Sequence, residues 1–229
     1  MAKENLTTYT EVDPNNHLSQ TADRATFANL NRDEAAYLYK DKGVDHFDGD
    51  FEHLIDVYLD AGYMGLVGLW GLSNTLTDGR SQESENSLLL RFYKSNGTIY
   101  LQLGEYPEKA EDQWSGASLD TTYYLRIKRD ESVGTYGTLY CDVYTSNADR
   151  ANEINAVANL SISLHAKRDF RYILTTFSYD DVYADRQMTG YVENLDLQEV
   201  PPAVGRSFGY IFSKIYEHTK DLASRIFRI

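Results

Sequence analysis

The side chains of this chain best placed to do chemistry lie within residues 121–146, TTYYLRIKRDESVGTYGTLYCDVYTS. On the first arm Tyr124, Arg126 and Lys128 alternate with Tyr123, Leu125 and Ile127. On the second, Tyr140, Asp142 and Tyr144 alternate with Leu139, Cys141 and Val143. Successive side chains of a strand point to opposite faces, so this pattern predicts one buried face and one outward face. The outward set of Tyr124, Arg126, Lys128, Tyr140, Asp142 and Tyr144 combines flat rings for sugar C–H groups, hydroxyls that hydrogen-bond and charges that fix orientation. It is a candidate ligand face. The same composition also suits cross-strand pairing on a solvated sheet, where each aromatic or opposite-charge pair contributes about 0.2–1 kcal/mol. Trp114, in the loop-like stretch 111–118, offers a second ring platform, whereas Trp70 reads as core.

The remaining reactive residue types do not assemble into a mechanism. Glu52 and Asp56 share a face of the segment 51–59 but stand four residues apart, with no third carboxylate beside them. Glu83 and Glu85 occupy a polar stretch with no apolar frame to shift a pKa, so they read as solvated acids. The histidines His17, His46, His53, His165 and His218 are scattered without HxH or HExxH spacing, which argues against zinc. His53 shares a face with Ile55 and Val57 and reads as a hydrogen-bonded core histidine. No Gly-x-Ser-x-Gly elbow and no phosphate loop occurs. Catalysis is not expected.

The elements that must position these residues are strands. Candidates run over 19–27, 36–39, 51–59, 65–73, 88–94, 98–105, 121–129, 138–145, 158–164, 170–178 and 189–197. Asn96-Gly97 marks a hairpin tip, and residues 149–155 could form a single helical turn. Many short strands with few helices mean a sandwich or barrel. The chain has 229 residues, 42% of them hydrophobic and 13% aromatic, which is ample for one large β core. Its net charge of −13 argues against nucleic acid, which needs clustered Lys and Arg. The single cysteine, Cys141, excludes an internal disulfide and reads as a small buried hydrophobe. The polar start MAKENLTTYTEV predicts no export leader, and no apolar run reaches a membrane span, which suits a virion or cytoplasmic setting. The sequons at Asn5, Asn96 and Asn159 are discounted on that ground.

Past Pro201-Pro202 the texture changes. Phe208, Ile215, Leu222 and Ile229 recur every seven residues, with Ile211, Phe212 and Ile226 beside them, predicting an amphipathic helix over about 205–228. From Arg206 onward five Lys/Arg oppose two Asp/Glu, so this segment is basic on an acidic chain. Three fates suit such a face: packing against a partner chain or another copy, docking on its own sandwich, or lying on a membrane surface. The expected organisation is thus a sandwich over 5–200 and a proline-led linker with a helix over 201–229.

Four stretches carry a resemblance. They are residues 17–30 with Tyr37-Leu38-Tyr39-Lys40-Asp41, the strand 50–59 (DFEHLIDVYL), the strand 123–130 (YYLRIKRD) followed by 139–144, and the closing strand 190–197 (GYVENLDL). With these the chain resembles a concanavalin A-like, laminin-G-type jelly roll, and more narrowly laminin-G-like proteins of viral and environmental origin. The resemblance implies an all-β antiparallel sandwich in which the early long strand lies beside the final one. It also implies that calcium could sit near a rim, for which Asp41, Asp45, Asp48 and Asp50 in one stretch, or Asp180, Asp181 and Asp185 in another, supply hard oxygen ligands. No other cofactor is expected. Glycosidases of that superfamily carry Glu-x-Asp-x-x-Glu on one strand. The nearest string here, Glu11-Val12-Asp13-Pro14-Asn15-Asn16, ends in an amide and is bent by Pro14. The leading expectation is therefore a non-catalytic recognition module for carbohydrate or a cell-surface component. The alternative is a virion or filament component attached through its helix, with glycoside hydrolysis a remote third.

Overall fold

The computed structural model describes residues 3–199. The predicted C-terminal helix, with Phe208, Ile211, Phe212, Ile215, Leu222, Ile226 and Ile229, lies outside the described residues. Two antiparallel sheets of seven strands each are stacked face to face. In chain order the strands are β1 (Thr10–Val12), β2 (Leu18–Gln20), β3 (Arg24–Asn31), β4 (Tyr37–Asp41), β5 (Phe51–Tyr63), β6 (Leu66–Ser73) and β7 (Ser87–Ser95). They continue as β8 (Thr98–Tyr106), β9 (Ala110–Ala117), β10 (Thr121–Asp130), β11 (Thr138–Tyr144), β12 (Ala158–Ser163), β13 (Tyr172–Phe177) and β14 (Gln187–Asp196). Two short helices, α1 (Gly79–Gln82) and α2 (Asn147–Asn152), interrupt the connections. Among the described residues no helix is long and apolar enough to cross a membrane.

The first sheet runs β1-β4-β13-β6-β7-β8-β9 and the second β12-β11-β10-β5-β14-β3-β2. The long β5 lies between β10 and the last strand, β14, as the resemblance implies. Alternation sets the second sheet's register. Leu125, Ile127, Leu139, Cys141 and Val143 are fully buried between the sheets. Cys141 is free, and burial raises its thiol well above the usual range. Trp70 is core as expected, and its Nε1 donates to Nδ1 of the buried His53 at 3.1 Å.

The structure corrects the strand reading in two places. β9, AEDQWSGA, is an edge strand whose one large apolar side chain is Trp114, so no period-2 apolar pattern marks it. The run 19–27 is in fact two strands, β2 and β3, separated by a turn in which Thr21 N–H donates to Arg24 O at 2.8 Å.

The first sheet is apolar on both sides over part of its area. Leu88, Leu90, Phe92, Leu101 and Leu103 join the main core. Leu89, Tyr106, Leu174 and Phe177 form a second cluster, against which Tyr37, Tyr39 and Tyr172 pack. The two-sided burial explains the unbroken run Leu88-Leu89-Leu90 and the full burial of β6. Gly68 and Gly71 on β6 make room for the Phe177 ring. A methyl at Gly68 would stand well inside van der Waals contact with that ring. Gly68→Ala is therefore expected to destabilise the fold by about 1–3 kcal/mol, read as a lower thermal midpoint. An unchanged midpoint would show that the ring swings clear.

Candidate functional site

The six residues of the sequence-predicted ligand face do share one side of the second sheet. Tyr124 stands opposite Tyr144, Arg126 opposite Asp142 and Lys128 opposite Tyr140. Their charges, however, are turned on neighbours. Arg126 reaches Glu52 at 2.6 Å and also pairs with Glu153, and together these raise its pKa. Lys128 contacts Asp130 at 3.1 Å, and Asn159 Nδ2 donates to Asp142 Oδ1 at 2.6 Å. The helix α2 packs on β10 and β11, and Tyr144 is only 2% exposed. From α2 the buried Arg150 stands over the Tyr124 ring at 5.5 Å and reaches Asp56 at 2.7 Å. Part of this face is thus an internal surface.

Trp114 belongs to β9, packs against the main core and meets Tyr123 edge-on at 5.4 Å. The aspartates proposed for calcium do not converge as drawn. Asp41 takes both its oxygens to Arg171, at 2.8 and 2.5 Å, which holds its carboxyl below the usual range. Asp50 accepts from Glu131 N–H at 2.6 Å. Asp181 lies 2.6 Å from Arg32. Among the described residues no group of three His, Cys, Asp or Glu side chains is placed to share an ion. No three of Asp41, Asp45, Asp48 and Asp50 are grouped around a common point.

A site that sequence reasoning missed lies on the outer face of the first sheet. Arg91 sits on β7 with Leu89 and Tyr93 on its own side, opposite Gln102 of β8. Its guanidinium is buried, and four of its five N–H groups are engaged. Nε donates to Gln102 Oε1 at 2.7 Å, Nη2 to the Tyr106 hydroxyl at 2.7 Å and to Glu111 at 3.3 Å, and Nη1 to Glu83. The ring is closed by Gln102 Nε2 donating to Glu111 Oε2 at 2.9 Å, Tyr106 OH donating to Glu111, and Tyr179 OH donating to Glu83 Oε2 at 3.0 Å. Glu83, read from sequence as a solvated acid, is in place because it caps α1, which the chain folds onto this face. The apolar frame that a linear reading could not see is the Leu89–Tyr106–Leu174–Phe177 cluster.

This network fixes protonation as well as position. Burial pushes the Tyr106 phenol far above its ordinary value, against the pull of Arg91, so Tyr106 keeps its proton and donates it in a hydrogen bond. Burial and the neighbouring Glu83 push Tyr179 up to about 12. Arg91 loses some basicity to burial but gains more from the carboxylates of Glu83 and Glu111, so its pKa is raised and its charge is permanent.

Above Arg91 opens a cavity of about 310 Å³. Arg91, Gln102, Tyr93 and Tyr179 line it, together with Arg32, Lys94 and Arg186 from its rim. Tyr93 stacks on Tyr100 with centroids 4.6 Å apart and planes 8° from parallel, and its hydroxyl donates to Gln113 at 2.8 Å. No carboxylate and no histidine is among the lining residues. The arrangement presents phenol oxygens that can accept, the second Nε2 proton of Gln102 and the cations of Arg32, Lys94 and Arg186 beside flat rings, which is chemistry for holding a polar ligand. The signal in the sequence was Arg91 itself, a charge inside the apolar run Leu88-Leu89-Leu90-Arg91-Phe92, because a buried charge is costly unless it is paired.

Comparison with known proteins bears on the fold. No family model matches the chain, and no curated protein matches it. Among solved structures it is similar to a legume lectin-like domain from Entamoeba histolytica, with TM-score 0.53, 12% identity, and coverage of 84% of this chain and 90% of that one. A Ca²⁺- and mannose-bound VIP36 exoplasmic/lumenal domain gives TM-score 0.49 at 10% identity, covering 85% of this chain and 84% of that one. A family 7 alginate lyase gives 0.42 at 9% identity, covering 82% and 76%. The likeness to the Entamoeba domain is one of fold: a sandwich of two antiparallel β-sheets. The narrower kinship with viral or environmental proteins finds no support in these comparisons.

Proposed function

We propose that this chain is a carbohydrate-recognition module whose ligand occupies the cavity over Arg91 on the outer face of the first sheet. The observation that carries this reading is the preorganised network: Arg91 and Gln102 are held by Glu83, just past the end of α1, and by partners on β8 and β9 before any ligand arrives. A site whose side chains are already ordered loses little conformational entropy on binding. The stacked Tyr93–Tyr100 pair supplies ring surface at the same place, and the volume falls within the roughly 300–1,000 Å³ of small-molecule sites. The lectin-like fold supports the reading only as architecture, because such sandwiches host many functions.

Calorimetric titration with a panel of oligosaccharides tests it. Tyr93→Ala is expected to weaken the best ligand about tenfold or more, equivalent to about 1.4 kcal/mol. Tyr140→Ala, on the outer face of the second sheet, is expected to leave binding unchanged. The reverse outcome would move the site to the Tyr124/Tyr140/Tyr144 face.

A further inference from the structure

Charge around the Arg91 cavity runs against the rest of the molecule. The chain carries 35 Asp and Glu against 22 Lys and Arg. Yet four cations line this cavity and no carboxylate does. Two of them are answered from behind: Arg32 by Asp181 at 2.6 Å, and Arg91 by Glu83 and Glu111. The other two, Lys94 and Arg186, contact no carboxylate among the described residues, whereas most described lysines and arginines do. Lys94 Nζ gives one of its three protons to Gly62 O at 2.8 Å. The Arg186 guanidinium lies 3.5 Å over the Tyr183 ring. Its backbone is tied at both ends, Arg32 N–H donating to Arg186 O at 2.8 Å and Arg186 N–H to Tyr183 O at 3.2 Å. Two cations, both anchored, are left with hydrogen-bonding capacity and no counter-charge beside a cavity built to hold a polar ligand.

We propose that the ligand of this cavity is an anionic saccharide, carrying carboxylate or sulfate groups that pair with Arg186 and Lys94. The inference rests on the recognition reading above and specifies its ligand class. A guanidinium matches either oxyanion with two parallel N–H···O bonds, while an ammonium serves as a point charge. A neutral sugar would use the donors of Gln102 and the Tyr93 ring but leave both cations unanswered.

The test is a set of titrations of the full chain with an oligogalacturonate, a dextran sulfate oligosaccharide, which carries sulfate and no carboxylate, and the carboxyl-reduced, neutral form of the first. One of the two anionic probes is expected to bind at least tenfold more tightly than the neutral one, and which of them does so distinguishes carboxylate from sulfate. Arg186→Ala and Lys94→Ala are each expected to weaken that anionic probe about tenfold and to leave the neutral probe unaffected. Because Lys94 also ties down Gly62, the decisive variant is Arg186→Ala with an unchanged thermal melt. If the neutral oligosaccharide binds as tightly and Arg186→Ala changes nothing, the anionic assignment fails while carbohydrate recognition stands. If no saccharide of any class binds, both fail together.

Discussion

Replacing Arg91 with methionine is expected to lower the free energy of unfolding by about 3–5 kcal/mol, the usual range when one partner of a buried ion pair is removed. The size follows from what is left behind. Glu83 loses its guanidinium partner, Glu111 loses one of its donors, and Gln102 Oε1 and the Tyr106 hydroxyl each lose a hydrogen bond inside the first sheet's outer face. A buried acceptor that loses its donor costs more than the bond itself contributed. Arg91→Lys is not expected to restore stability, since one ammonium cannot reach Gln102, Glu83 and Tyr106 in three directions from a planar fork. Adding Glu83→Gln to the methionine variant removes an orphaned charge and is expected to recover part of the loss. Urea denaturation followed by far-ultraviolet circular dichroism measures all three. A loss under about 1 kcal/mol for Arg91→Met would mean that water replaces the guanidinium and that the network is not a rigid platform.

How much of this was legible in the sequence depends on which face of which sheet is considered. The second sheet could be read because its strands alternate: Leu125, Ile127, Leu139 and Val143 announce the core, and their register is as expected. The first sheet resists the same reading because both of its faces are largely buried. In Leu88-Leu89-Leu90 no period distinguishes the inner leucines from the outer one. The partners of Arg91 come from just past the end of α1 and from β8 and β9, and β9 carries too little apolar pattern to be seen as a strand. On the second sheet the alternation identifies the outward residues correctly as a set, but it does not show their cover. The segment 149–155 reads as a helical turn at most. Nothing local shows that α2 lies on Tyr124 and Tyr144, because Arg150 is anchored to Asp56, on a strand far away in sequence.

That anchor sets up a stability change with a pH signature. Arg150→Met is expected to cost about 3–5 kcal/mol near neutral pH and progressively less toward acid. Arg150 Nη1 donates to Ile55 O and Leu125 O, each at 3.2 Å, Nη2 donates to Asn147 at 2.9 Å, and Nη1 stands 2.7 Å from Asp56. That last contact is an ion pair without good hydrogen-bond alignment, since Asp56 Oδ1 has no well-directed donor. Burial already raises the Asp56 pKa, with Arg150 and the Asn194 amide pulling it down. Removing Arg150 deletes one of those opposing pulls, so the pKa rises further in the folded state while the unfolded value stays near about 3.9. A carboxyl whose folded pKa is raised favours folding when protonated, so its contribution is fully present below the unfolded pKa and is lost as pH climbs through the folded pKa. The difference between wild type and Arg150→Met should therefore be largest at pH 7 and shrink as Asp56 takes up its proton, other acids cancelling because both proteins share them. Asp56→Asn in the variant background should flatten the profile. A penalty that stays constant from pH 7 to pH 4, measured by denaturation at each pH, would show that Asp56 is solvated once the guanidinium is gone and that α2 does not seal this face.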